Sequence, residues 1–402
     1  MSRIDRGNAI RTLKGRLRLT GRHLHGSREG MTATDAVVAD YKSYRHAKSL
    51  FLLGFLVLFV VMVAVDLGVG NYSISFLDVY TILIEKIYGW FAGVLNLIPG
   101  VSIATDLGWI AGMPNGQISE SVVWDQRMPR ILAAIIVGVG LAVAGAAMQS
   151  MLKNPLADPY TTGISSGAAF GATIAITLGI YIIPGDAGII VNAFVFGMIP
   201  ALVILALSRF RRPSPAMMIL AGTSLMYIFN ALQQFFMLVT DPNSSQQVLA
   251  WTTGSITSVV WSDIPLMLVL VALGMVAIQF LSRTLNAMNS GDAYAKSLGI
   301  DVDRFRIIVL LLVSLIAAGI VSFTGIIGFV GLVAPHIARI FIGSDNRYLV
   351  PASALLGAVL MLFADVVAHQ IVSFDLPIGI VTSVIGGPVF LFLILRQKKE
   401  VW

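Results

Sequence analysis

The chain has no cysteine among its 402 residues, which removes disulfides, thiolate metal sites and cysteine nucleophiles together and leaves the redox compartment unreadable. Charge is scarce too. Only 12% of the residues are Asp, Glu, Lys or Arg, about half the share usual in a soluble domain. No G-x-x-x-x-G-K-[ST] phosphate loop occurs anywhere, so ATP has no such cradle here. What the chain does have is apolar sequence, with 57% hydrophobic residues and a mean hydropathy of +0.85. The runs recur from Leu50 to Leu395, and they are continuous rather than alternating, so they read as membrane helices and not as barrel strands.

Spans are expected at roughly 48–68, 130–152, 161–183, 191–208, 217–239, 265–282, 307–324, 327–342, 350–371 and 377–395, since a crossing takes about 20 residues of helix. The fold class is therefore all-α, a polytopic membrane protein of ten transmembrane helices. Charge orients it. Of 27 Lys and Arg, all but Lys86, Arg127 and Arg130 fall on one side of that topology, which puts both termini in the cytoplasm. Two external arginines three residues apart run against that rule, and an acidic partner outside would account for them. The net charge of +6 is spread over loops at helix ends, so nucleic acid is not an expected partner.

Residues 1–47 read as a basic cytoplasmic tail, 48–395 as the membrane domain and 396–402 as a short cytoplasmic end. The start lacks the early apolar segment and the small-residue cleavage site of a secretory signal. Ile10, Leu13 and Leu17 could share a helix face beside Lys14, Arg16 and Arg18; a surface-lying helix and plain disorder both stay open. Val79–Ile98 is apolar but carries Glu85 and Lys86, and counting it as a span would invert every later loop. It is expected to be an external amphipathic helix, leading into an external loop, with the whole insertion at about 88–117. Thr240–Asp263, with Trp251 and Trp261, is a second external segment expected to hold a short helix.

Small residues crowd the second and third spans, Gly138, Gly140, Ala142, Ala144, Gly145, Ala146 and Ala147 in one and Gly163, Gly167, Ala168, Ala169, Gly171 and Ala172 in the other. Helices with such faces approach closely. The run RMPRILAAIIVGVGLAVAGAAMQSMLKNPLADPYTTGISSGAAFGA from Arg127 to Ala172 closely resembles the permease family of vitamin B12, haem and iron-siderophore ABC importers. So do GNYSISFLDV at Gly70–Val79, AKSLG at Ala295–Gly299, the run from Gly325 to Ala358, and PIGIVTSVIGGPVFLFL at Pro377–Leu393. The resemblance covers nearly all of Leu50–Leu395 and leaves out the basic tail and the insertion after Tyr88.

What this resemblance implies is a homodimer or close heterodimer of ten-helix subunits, two separate ATPase subunits that bind ATP and Mg, and an extracytoplasmic substrate-binding protein. The chain itself would bind no cofactor and catalyse no bond chemistry, and it would sit in the prokaryotic inner membrane. Arg127 and Arg130 match the family's docking arginines, which pair with carboxylates of the binding protein; lipid phosphates or a helix cap are the plainer roles. A third docking arginine of some relatives falls at His369 here. Asn154 and Leu156 match the inner gate, and a second gate layer falls near Ser214, where an ordinary turn is the plain alternative. Ala295, Leu298 and Gly299 match the coupling motif in the cytoplasmic loop at about 283–306, which Gly291 and Gly299 divide into two short helices.

Some polar residues stand apart from these motifs. Asp365 lies inside the ninth span, where an acid costs about 2.5–3.5 kcal/mol on insertion scales, so it needs a partner. His369, one turn on, is the expected one. Asn230 and Gln234 share a face of the fifth span and would touch cargo or bond to a neighbouring helix. His336 has no second ligand at metal spacing, so no metal site is expected. The favoured reading is an importer subunit for a metal chelate, an iron-siderophore first, with cobalamin and haem as alternatives. Its rival is an ion-coupled secondary transporter using Asp365; a signalling receptor is the third class.

Overall fold

The computed structural model describes residues 33–396 apart from 71, 73, 99–101, 114, 186 and 372–375. The tail segment with Ile10, Leu13 and Leu17, and the end at 397–402, lie outside the described residues. Among the described residues every regular element is helical. In chain order these are α1 (Ala33–Gly68), α2 (Phe76–Leu95), α3 (Gly116–Leu152), α4 (Ile164–Leu178), α5 (Gly188–Leu207), α6 (Pro215–Val239) and α7 (Pro242–Thr252). They continue as α8 (Ile264–Phe280), α9 (Ser282–Asn289), α10 (Asp292–Ser297), α11 (Val302–Thr324), α12 (Val330–Ile342), α13 (Asn346–Ile371) and α14 (Ile378–Arg396).

Among the described residues, six helices are long and apolar enough to cross a bilayer: the Lys48–Gly68 part of α1, then α3, α5, α6, α11 and α13. The pair α8 and α9 becomes a seventh if its 55° bend at Leu281 is read as one broken span. The shorter apolar helices α4, α12 and α14 occupy the remaining expected spans. Their shortness has local causes. The third span was expected to reach residue 183 but stops at Leu178, because Gly179 turns left-handed at φ +63° and caps it. The eighth was expected from 327 and starts at Val330, after Phe329 at φ +68°. The second starts earlier than expected, at Gly116 instead of near 130.

Helix α3 is the hub, buried along most of its length and packed most extensively on α13. Its stretch Ser121–Arg127 is wound as a π-helix immediately before Pro129. A proline ring cannot sit over the carbonyl four residues back, and the wider turn makes room for it. The small residues do what their size allows. A Cβ on Gly138 would run into the Gly357 carbonyl of α13, and one on Gly145 into the Gly331 carbonyl of α12. Backbone therefore meets backbone at both crossings, which is close packing that lipid tails cannot replace.

The segment expected as an external amphipathic helix is α2, which is not among the helices long and apolar enough to span. Ser75 caps its start by accepting from the Leu77 amide. Glu85 then accepts the backbone amides of Gly108 at 3.2 Å and Ile110 at 2.8 Å, while Asn96 exchanges hydrogen bonds with the backbone of Ile103. Lys86 pairs with Glu120 at the start of α3. The insertion is thus folded back on α2 rather than strung out as a loop.

Candidate functional site

Two polar clusters sit along α3, one around Arg127 and Arg130 and one at its C-terminal end, with Arg127 and Lys153 separated by roughly 39 Å at 1.5 Å per residue. The first gathers the charges that the sequence singles out. Arg130 spans to α13, its Nε donating to the two carboxylate oxygens of Asp365 at 2.8 and 3.1 Å and its Nη2 lying 2.8 Å from Oδ1. Both side chains are buried, at 11% and 1% exposure. The expected Asp365–His369 contact lies beside this pair. His369 Nδ1 lies 3.0 Å from the Asp365 backbone carbonyl and 3.9 Å from its carboxylate, because an i, i+4 side chain reaches back along the helix while Arg130 approaches the carboxylate head-on.

Within this chain Arg127 binds backbone carbonyls. Its Nη1 donates to the Leu67 carbonyl at 2.9 Å and its Nη2 to the Tyr72 carbonyl at 2.5 Å. Leu67 belongs to the last turn of α1, whose carbonyls have no partner inside the helix, so the guanidinium caps α1. Gly70 makes this approach feasible, since a Cβ there would lie 2.5 Å from Nη2. These arginines, with Asp66, Asp125, Thr257, Asp365 and His369, line a cleft of about 440 Å³. Asp66 is a member that sequence reasoning missed. It is 3% exposed with one carboxylate oxygen unpartnered, and its position near the end of the first span was the available signal.

The second cluster surrounds the loop after α3. Lys153 ends the helix in a left-handed conformation at φ +52°, and Asn154 Oδ1 accepts the Leu156 amide at 3.0 Å, closing a turn. Leu156 projects with 49% exposure, whereas Asp158 is buried and caps the next turn by accepting the Tyr160 amide at 2.8 Å. Burial pushes the Asp158 carboxyl up to about 6, with that hydrogen bond opposing the shift. Ser214 caps α6 by accepting the Met217 amide at 3.2 Å.

The cytoplasmic loop expected at about 283–306 contains α9 and α10, two short helices separated by Gly291 at φ +121°. The AKSLG run ends α10 in a Schellman cap, with the Ile300 amide donating to Ala295 at 3.1 Å and the Gly299 amide to Lys296 at 2.9 Å. Gly299 carries the φ of +80° that this cap needs, Ala295 is buried beneath it, and Leu298 and Tyr294 are exposed.

Polar contacts tie both short helices to α3. Asn286 of α9 accepts from the amide and side chain of Asn346 at 2.7 and 3.0 Å, and Asn346 in turn accepts Ser150 Oγ of α3 at 2.8 Å. Asn286 also donates to Asp345 at 2.7 Å; burial works to raise that carboxyl, but hydrogen bonds from Arg347 and Asn286 outweigh it and bring it down to about 2. Asp292 of α10 receives Lys153 Nζ at 2.7 Å and Arg306 Nη2 at 2.9 and 2.8 Å. Burial would raise its carboxyl, yet these donors hold it below the usual range. Asp292 was not anticipated from sequence, because a lone acid in a loop carries no motif.

Asn230 is half-buried and Gln234 exposed on α6, and neither bonds to another described residue; exposed Tyr227 and Ser224 extend the same face about one and two turns earlier. His336 is buried with its ring edge-on to Phe390, and among the described residues no three His, Asp or Glu side chains gather to hold a metal.

Residues 56–396 match the FecCD transport family. The hemin transport system permease protein of Yersinia pestis is 37% identical over 281 residues, covering 68% of this chain and 83% of that protein. The iron(3+)-hydroxamate import system permease protein of Bacillus subtilis is 35% identical over 286 residues, covering 70% of this chain and 73% of the relative. A solved structure described as an inward-facing conformation of a metal-chelate type ABC transporter superposes with a TM-score of 0.72 at 29% identity, covering 86% of this chain and 99% of that one.

Proposed function

The chain belongs to the FecCD transport family, and on that premise we propose that it is the membrane-spanning subunit of an ATP-driven importer for a metal chelate, an iron-siderophore before haem or cobalamin. The observation that carries this reading is the match over 56–396, which takes in both polar clusters. Ten spans with both termini cytoplasmic follow from the charge asymmetry, with α4, α12, α14 and the bent α8–α9 pair completing the six long helices. ATP and Mg then belong to two separate ATPase subunits. A second permease subunit, identical or closely related, faces the Ser224, Tyr227, Asn230 and Gln234 stripe of α6 across the pathway.

In the mechanism, a loaded binding protein settles on the outer cleft. Arg127, Arg130 and His369 line it, and their internal contacts keep the ends of α1, α3 and α13 in register for docking. ATP closure below moves Leu298 and Tyr294 of the coupling segment, Ala295 and Gly299 keep that segment rigid, and the Asn154–Leu156 turn with the Ser214 layer opens inward. The secondary-transporter rival is disfavoured by one contact. Asp365 is already neutralised by Arg130, so it is not an open ion site.

The test is reconstitution. The chain with its ATPase and binding protein in proteoliposomes should take up a ferric hydroxamate only with Mg-ATP; uptake by the chain alone under an ion gradient would reverse the conclusion. The absence of native cysteine allows a topology check alongside it. Single cysteines replacing the exposed Ser102 and Ser297 should label only from outside and only from inside respectively.

A further inference from the structure

One carboxylate at the cytoplasmic end joins three parts of the fold that the importer reading otherwise treats separately. Asp292 is the first residue of α10 and takes both Lys153 and Arg306 on its two oxygens. Lys153 directly precedes Asn154, the turn proposed as the gate. Arg306, whose side chain is 4% exposed, also donates from Nη1 to the Pro213 carbonyl at 3.4 Å, directly before Ser214. The coupling helix, the gate turn and the Ser214 layer therefore share a single counter-charge.

The backbone gives a second reason to see a device here. Lys153 is one of three non-glycine residues with positive φ among the described residues, and its left-handed geometry is disfavoured by contact of Cβ with the following carbonyl. Such a residue keeps that conformation when its surroundings hold it, and the Asp292 pair anchors its side chain. Moving Asp292 would loosen the anchor at the residue where α3 becomes the gate turn. Helix α10 is short and closed by the Schellman cap, so displacement of exposed Tyr294 and Leu298 carries Asp292 along.

We infer that Asp292 is a positioning residue that transmits movement of the coupling helix to the gate turn through its contacts with Lys153 and Arg306. This rests on the importer reading and deepens it. The relay acts on Asn154 and Leu156 through Lys153, and on the start of α6 through Arg306 and Pro213. Lys153 and Asp292 are partly exposed, so their pair can break and reform, while Arg306 is buried and has more to lose without its counter-charge.

The experiment uses the complex of permease, ATPase and binding protein in proteoliposomes, with Leu156→Cys as the sole cysteine in the permease and a membrane-impermeant maleimide applied from the cytoplasmic face. Two quantities are read, the change in labelling rate on adding Mg-ATP and the rate of ATP hydrolysis. Asp292→Asn should lower the labelling change per ATP hydrolysed about tenfold, within the range of ordinary coupling energies. Asp292→Glu should restore it to within about twofold, and Lys153→Met, which leaves Arg306 paired, should fall between. A merely structural defect lowers labelling and hydrolysis together, so an unchanged ratio in Asp292→Asn and Lys153→Met overturns the relay. If the parent complex shows no ATP-dependent labelling at all, the importer reading falls and takes the relay with it.

Discussion

Arg130 and Asp365 stand 235 positions apart in the chain and meet as a buried guanidinium–carboxylate pair joining α3 to α13. The contact lies about two helical turns from the crossing where Gly138 and Gly357 bring those two helices backbone to backbone. A charge on α3 that opposes the membrane-orientation rule and an acid inside α13 that is costly in lipid thus account for each other.

Breaking that pair from one side should be severe. Arg130→Ala leaves the Asp365 carboxylate buried and uncompensated, and about 3–5 kcal/mol of stability should be lost. The double variant Arg130→Met with Asp365→Leu should recover most of it. Thermal unfolding of the purified chain in detergent measures both, and a double variant no better than Arg130→Ala would mean that the pair is not what destabilises.

Arg127 separates docking from structure. Arg127→Gln removes the charge that steers an acidic partner, so stimulation of ATP hydrolysis by the binding protein should weaken by about tenfold. Raising the salt concentration should weaken the parent's stimulation in the same direction. Stimulation that is indifferent to both changes would remove Arg127 from the docking surface.

Gly299→Ala addresses the segment proposed to couple to the ATPase. At φ +80° any Cβ is strained, and the variant should lose about 1 kcal/mol or more of local stability by undoing the cap on α10. Co-purification with the ATPase subunits should fall, while the same change at Gly93, where a Cβ meets nothing within 4 Å and φ is not positive, should have no effect.

The close crossings of α3 can be checked by size alone. Gly145→Val drives a branched side chain into the Gly331 carbonyl of α12, and the yield of monodisperse protein should collapse. Gly54→Val, in open space on α1, serves as the tolerated control.

Asp158 makes stability depend on pH. Its folded value of about 6 lies above the ordinary value of 3.8, so the folded state holds the proton more tightly. The resulting stabilisation is fully present below pH 3.8 and is lost as pH rises through 6. The melting temperature in detergent should therefore decline across that window, and Asp158→Asn should flatten the decline.

Much of this protein was legible along the chain. The apolar runs located the long helices, Glu85 and Lys86 kept α2 from being read as a span, and the glycines at 138 and 145 announced close helix contacts. The AKSLG run closes a short helix, and its backbone explains the residue pattern: a buried Ala, an exposed Leu and a glycine at the left-handed cap. Helix ends were harder to read. The third span stops at Gly179 and the second begins at Gly116, because caps, a π-helical turn and a folded-back insertion override apolar periodicity there.

Hydropathy and charge placement are sums over local sequence, so the membrane class and the ten expected crossings could be read without coordinates, and the family resemblance was carried by contiguous motifs such as the run from Arg127 to Ala172. Ion pairing between helices is not local. Which carboxylate neutralises Arg130, which carbonyl Arg127 caps, and that Asp292 sits between Lys153 and Arg306 were decided by how the helices cross. His369 was the nearest candidate for Asp365 by spacing and does lie against it, while the closer hydrogen bonds to the carboxylate come from Arg130, a permanent charge with several donors brought in by the helix crossing.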